Sequence, residues 1–138
     1  MARLDKIHDA VKNALVKDGW IITDDPFTLE YEEQILFVDL AGEKMLVAER
    51  GNSKIAVEIK SFIQPSHIQD LKTALGQYNI YETYLELTEP ERKLYLAVGE
   101  KIYNDFFTQK SIQVVIEKFQ VSLIIVDLEK EEIVKWTK

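Results

Sequence analysis

Between residues 54 and 98 the chain runs strand, long helix, strand, and that succession constrains its fold more than any other feature. "KIAVEIK" (54–60) and "KLYLAV" (93–98) read as strands. Between them Ser66 opens a helix, with Gln69 three residues later in a capping-box pattern. Ile68, Leu71, Leu75, Tyr78 and Leu85 line one stripe of it, and "TEPER" ends it. Two strands joined by a crossover of this kind favour parallel pairing in one sheet. Gly76, inside the helix, costs about 1 kcal/mol against alanine and points to a close approach to the sheet.

The flanking elements fit around that unit. Leu4, Ile7, Val11, Ala14 and Leu15 recur at helical spacing, and Gly19 is placed to cap the helix C-terminally. "WIIT" reads as a short strand stopped by "DDP", and Phe27, Leu29 and Tyr31 alternate as a second strand or extended edge. "ILFVDL" (35–40), "KMLVAER" (44–50) and "KIAVEIK" are joined by short turns, as in an antiparallel meander. Beyond the crossover come two short helical stretches, around Ile102–Phe107 and Ile112–Phe119, and a terminal hairpin from "VSLIIVD" and "EIVKWT". The expected fold is α/β (α+β): an α-β-β-β-α-β core of restriction-endonuclease-like order, its mixed sheet flanked by helices. C-terminal helices and a β-hairpin follow. The 138 residues suit a single domain over 1–138, without repeat or linker.

Charge and cysteine content restrict the function. The net charge is −7, with 8 basic and 12 acidic groups in residues 1–69 and 9 and 12 in 70–138. Neither half is basic, which counts against tight unaided binding to nucleic acid and leaves room for a local patch, a basic partner or a divalent metal. No apolar run approaches the roughly 20 residues needed to span a bilayer, and the charged amphipathic N-terminus does not read as a signal peptide. The absence of cysteine excludes disulfides and thiolate metal sites and fits a cytoplasmic protein.

The chemistry centres on "VEIK". Alternation puts Ile55, Val57 and Ile59 on one strand face and Ala56, Glu58 and Lys60 on the other. Glu58 and Lys60 are then either a solvated face or the carboxylate-and-lysine half of a nuclease site. Two other acid-x-lysine triplets, Asp70-Leu-Lys72 and Glu91-Arg-Lys93, fall in a helix and a charged turn. A phosphodiester hydrolase needs carboxylate oxygens for Mg²⁺ or Mn²⁺ and a cation for developing negative charge. If the meander holds, Asp39 lies toward the same end of the sheet as Glu58 and is the better second metal ligand. Glu43 is the rival, and a polar strand terminator is the plain alternative for Asp39. Glu49 lies toward the opposite end. Gln77 and Tyr81, four apart on the helix, share a face that can touch the site edge or make a helix-shoulder hydrogen bond. His8 falls on the apolar side of the first helix as a satisfied core histidine, and neither it nor His67 has zinc-type ligand spacing. There is no phosphate-binding glycine loop, no G-x-S-x-G elbow and no aromatic stacking platform at recognisable spacing.

Four long segments, "HDAVKNALVKDGWIITDDP", "VDLAGEKMLVAERGNSKIAVEIKSF", "ALGQYNIYETYL" and "RKLYLAVGEKIYNDFF", together resemble the XisH family, the fdxN element excision controlling factors of cyanobacteria. The resemblance runs over nearly the whole chain. It implies a PD-(D/E)XK nuclease-like fold and a role in programmed excision of a DNA element during heterocyst differentiation. Its implied partners are DNA, the recombinase XisF and the companion factor XisI. It implies Glu58 and Lys60 as the E-x-K, Asp39 as the leading acid and Gln77 with Tyr81 as a Q-x-x-x-Y helix pattern, with Asp39 and Glu58 holding the metal. Val38 stands where the usual pattern has proline. Two functions follow as expectations: a metal-dependent DNA endonuclease, or a non-catalytic accessory protein that binds a partner on the same scaffold. A homo-oligomer is a further expectation.

Overall fold

The computed structural model describes residues 2–36 and 44–137. Helix α1 (Ala2–Lys17) ends as its sequence requires. Gly19 adopts φ +94°, and the Gly19 and Trp20 amides donate back to the Val16 and Leu15 carbonyls at 3.0 Å each, a reversal that an L-residue enters only with strain. Strands β1 (Ile21–Asp24), β2 (Leu29–Tyr31), β3 (Gln34–Leu36), β4 (Lys44–Arg50) and β5 (Ser53–Ile59) follow. Then come α2 (His67–Thr88), β6 (Arg92–Gly99) and the short turn α3 (Glu100–Ile102). A π-helical stretch (Tyr103–Phe107), α4 (Lys110–Lys118), β7 (Leu123–Asp127) and β8 (Glu132–Trp136) complete the order.

Six strands form one mixed sheet in the order β1-β4-β5-β6-β7-β8, and β2 and β3 form a separate two-stranded sheet. The crossover works as expected: β5 and β6 are parallel, Glu58 opposite Leu96, and β7 adds in parallel on the far side of β6. Ser66 caps α2, its Oγ accepting from the Gln69 amide at 3.3 Å.

Two expectations are corrected. The strand beside β4 is β1, and Phe27 extends that edge by donating its amide to the Met45 carbonyl at 2.8 Å. Ile35 and Leu36 belong instead to β3, paired with β2, so "ILFVDL" does not enter the sheet through its described residues, and 37–40 lie outside them. The sheet still shows the α-β-β-β-α-β order, with β1, β4 and β5 as its three strands. Gly76, for its part, makes no close approach: a Cβ there would meet nothing within 4 Å, and the residue is exposed. Its helix packs instead through Leu71, Ala74, Tyr78 and Leu85, while Ile68 is exposed.

Both sheet faces are covered. Leu46, Ala48, Ile55, Val57 and Ile59 pack with Val11, Ala14 and Leu15 of α1. Val47, Ala56, Leu94, Leu96 and Leu123 pack with α2, the π-helical phenylalanines and α4. Tyr78 fastens α2 to this second face. Its hydroxyl, fully buried, donates to the Leu94 carbonyl at 3.1 Å and accepts from the Ser122 amide at 3.0 Å, tying the helix to β6 and to the entry of β7. Burial pushes its phenol up to about 12, so the hydroxyl stays neutral and serves both bonds. On the other face His8, buried as expected, places Nε2 2.8 Å from Asp25, whose second oxygen lies 3.0 Å from the Lys12 ammonium. Burial raises the Asp25 pKa, but Lys12 and His8 more than offset it, and the net shift is downward.

Two outcomes follow from these bonds. Tyr78→Phe strands a buried amide and a buried carbonyl, so urea denaturation should find it about 1–3 kcal/mol less stable, with its circular dichroism unchanged. Because the folded Asp25 pKa lies below its unfolded value, its contribution is present above the carboxylate range and lost as pH falls through the folded pKa. Asp25→Asn should therefore unfold at lower urea than wild type at pH 7, with the gap closing at strongly acid pH.

Candidate functional site at the top of the parallel strands

Strand β5 is central, flanked by β4 and β6 and covered on both faces. Every side chain from Ile55 to Ile59 is therefore drawn out of water, and four of the five are apolar. Glu58 is the exception, at 1 % exposure, and Lys60 follows at 9 %. Of the two readings offered for this pair, the solvated face is ruled out. The Lys60 amide donates to the Ala97 carbonyl at 3.3 Å, which keeps the residue in the strand's alternation just beyond its end. Glu58 and Lys60 thus share the α2 side with Ala56. Taking a carboxylate and an ammonium from water costs several kcal/mol per ion before compensation, so a chain free to use valine here retains them at a cost.

Helix α2 brings Gln77 and Tyr81 onto the same side of the sheet. Tyr81 is half-buried against the apolar cluster. The Gln77 side-chain oxygen is buried and has no hydrogen-bond partner among the described residues, so the helix-shoulder bond is not made by that atom. The Glu58 carboxylate is close enough to α2 to add, after burial and Glu82, to the upward shift of the neighbouring Tyr78 phenol. Asp70, in the helical acid-x-lysine triplet, is buried for a structural reason: it accepts the Gln64 amide at 3.1 Å and holds the loop that leads into α2.

Beside this arrangement the carboxyl ends of β5, β6 and β7 open into a cleft of about 1440 Å³. Lys60 lines it and Glu58, two residues back, does not. Gly99 lies on its wall, where a Cβ would stand 2.8 Å from the Leu128 side chain. The lining carries Lys6, Lys60 and Lys101 against six carboxylates, from Asp9, Glu100, Asp105, Asp127, Glu129 and Glu131. No local pattern marks this wall, because its acids come from α1, from α3 and the π-helical stretch after β6, from the end of β7 and from the β7–β8 turn.

The two acids considered as Glu58's partner, Asp39 and Glu43, lie outside the described residues. Among those described, no group of three histidine, aspartate or glutamate side chains could hold a metal ion. What the described donors on the α2 side of the sheet offer a hard cation is the Glu58 carboxylate and, from the helix, the unpartnered oxygen of Gln77. Glu49, at the other end of β4, pairs with Arg92 at 3.6 Å and takes no part. His67 stands edge-on to Phe106 at the start of α2.

The chain is similar to known proteins over nearly its whole length. A family model described as XisH protein matches residues 1–134. A crystal structure of an XisH family protein from Nostoc punctiforme PCC 73102 is 42% identical with a TM-score of 0.90, covering 97% of this chain and 100% of that one. A crystal structure of a fdxN element excision controlling factor protein from Anabaena variabilis is also 42% identical, with a TM-score of 0.89 and coverage of 97% and 99%. No curated protein matches the chain.

A buried carbonyl without a partner is a burden that an apolar side chain of similar size removes. Gln77→Leu should leave the urea midpoint unchanged or higher. A loss above about 1 kcal/mol would instead assign Gln77 a structural bond.

Proposed function

The chain belongs to the XisH family, and from that premise we propose that it is a DNA-processing factor controlling excision of a DNA element, with metal-dependent phosphodiester chemistry at the Glu58–Lys60 end of β5. The observation that carries the reading is the burial of Glu58 and Lys60, at 1 % and 9 % exposure, in the central strand. Ionisable groups kept in such surroundings concentrate at functional sites. The relative from Anabaena variabilis, described as a fdxN element excision controlling factor, supports the biological role, and the strand–helix order supports a PD-(D/E)XK-type scaffold.

In this proposal Glu58 and Asp39 hold Mg²⁺ or Mn²⁺. When bound, the ion polarises the scissile phosphate and lowers the pKa of water. Lys60, on the cleft wall, places its ammonium to neutralise charge developing on the phosphoryl oxygens. Gln77 supplies a carbonyl able to accept a hydrogen bond from the attacking water and so orient it. DNA is the substrate, and XisF and XisI are the partners that the family reading brings with it.

One observation favours a second reading, a non-catalytic accessory protein. The cleft's six carboxylates outnumber its three ammonium groups, which repels a polyanion and suits a basic protein surface. One experiment separates the two. Supercoiled plasmid with Mg²⁺ or Mn²⁺ should be nicked by wild type, and Glu58→Ala and Lys60→Ala should each reduce the rate by roughly a hundredfold or more. Equal background cleavage by all three proteins would leave the accessory reading in possession.

A further inference from the structure

At the opposite end of β5 the molecule has a second concave surface of very different chemistry. Lys54 is the second residue of the strand and Lys60 follows its end, so the two lie roughly 20 Å apart along it. The side chains also diverge: Glu58 faces α2, whereas Trp20, Tyr95 and Trp136 pack with the α1-side core. Strand register assembles this surface. Arg50 continues the alternation of Leu46 and Ala48 on β4, and Lys93, opposite Ile55, precedes Tyr95 on the same face of β6. β7 begins only at the level of Leu96, which leaves Tyr95 open toward Trp136 at the end of β8. The result is a groove of about 470 Å³, inside the range of roughly 300–1,000 Å³ for ligand sites.

The groove combines aromatic planes with held cations. Trp136 lies 5.8 Å from Trp20 and 5.0 Å, edge-on, from Tyr95, centroid to centroid. The Arg50 guanidinium sits 4.5 Å above the Trp20 ring, and the Lys93 ammonium 5.1 Å above Tyr95. Arg50 is steadied by Asp18 at 3.0 Å, and Lys54 reaches Glu91 at 3.7 Å, while Lys93 has no ion pair among the described residues. In a chain of net charge −7 the groove lining carries three cations and one carboxylate. Cations resting on ring faces lose little further freedom when an anion arrives, and half-exposed rings beside them offer a surface for a planar group.

We propose that this groove binds an unpaired stretch of single-stranded DNA, its phosphates on Arg50, Lys54 and Lys93 and a base against the Tyr95–Trp136 rings. Phosphate neutralisation together with base–aromatic stacking is the general chemistry of single-strand recognition. The choice of DNA rests on the excision role proposed above, but the site is independent of the Glu58 chemistry, since it lies at the other end of the sheet with its rings on the other face and needs no metal.

Both tryptophans of the chain line this groove, so tryptophan fluorescence, excited at wavelengths that the tyrosines do not absorb, reports on it and on nowhere else. Titration with an oligodeoxythymidylate of about ten nucleotides in EDTA should quench that fluorescence. Three phosphate contacts predict a loss of affinity of about eighteen-fold between roughly 50 and 200 mM salt. Lys93→Glu should weaken binding at least about tenfold, and Lys93→Arg should retain it. Lys93 is exposed, so the fold should tolerate both changes. Arg50→Ala, expected to weaken binding in the same direction, serves if Lys93→Glu does not fold. Absence of quenching at low salt, or quenching unchanged in Lys93→Glu, overturns the proposal. So does thymidine monophosphate binding as tightly as the oligonucleotide, which would make the groove a mononucleotide pocket.

Discussion

Parallel pairing of β5 with β6 through α2 is the constraint from which the remaining architecture follows. A crossover helix must lie on one face of the sheet it bridges, and α1 covers the other, so β5 becomes an interior strand with no wet side. In that position alternation no longer separates core from surface; it separates two cores. Tyr78 makes the arrangement rigid, because its hydroxyl spans from the helix to two strands that no backbone bond connects to it. Any charged group on β5 must then be accommodated inside the protein. That is what gives Glu58 and Lys60 significance beyond their spacing.

The long axis of the parallel strands also separates opposite electrostatic characters. At the carboxyl ends the cleft is rich in carboxylates, and at the amino ends the aromatic groove is rich in cations. A modest overall negative charge conceals this polarity, since it averages two surfaces that face different ways. An acidic cleft next to a buried lysine suits a site completed by a divalent ion or by a basic protein surface, and the cationic groove suits a polyanion.

How much of this was legible in the sequence depended on the range of the interaction. Local signals were reliable: the Ser66 cap, the Gly19 reversal and the terminal hairpin are fixed by residues close in sequence, and the parallel crossover followed from the order of three strongly patterned elements. The apolar partition of β5 was equally clear, but its meaning was not. Burial of Glu58 depends on α2 lying over it, a tertiary fact that alternation cannot reveal. That β1, and not Ile35 and Leu36, lies beside β4 was invisible because both segments are short and apolar, and only long-range packing selects between them. Gly76 misled in the opposite way: glycine inside a helix permits a close contact without requiring one. The aromatic groove escaped notice because Arg50, Tyr95 and Trp136 come from three strands and meet only through register.

Gly99 carries a consequence for the cleft. Its missing side chain is the space that Leu128 fills, and both residues belong to the same wall. The turn between β7 and β8 therefore rests against the end of β6 with Leu128 in the room that a side chain at position 99 would take. A single added methyl would act as a wedge there, pushing the Leu128 isobutyl group outward and changing the bore of the opening while leaving every charge on its rim untouched. Size selection and charge selection at this entrance are thus separately adjustable, the first through one hydrogen atom on a backbone carbon.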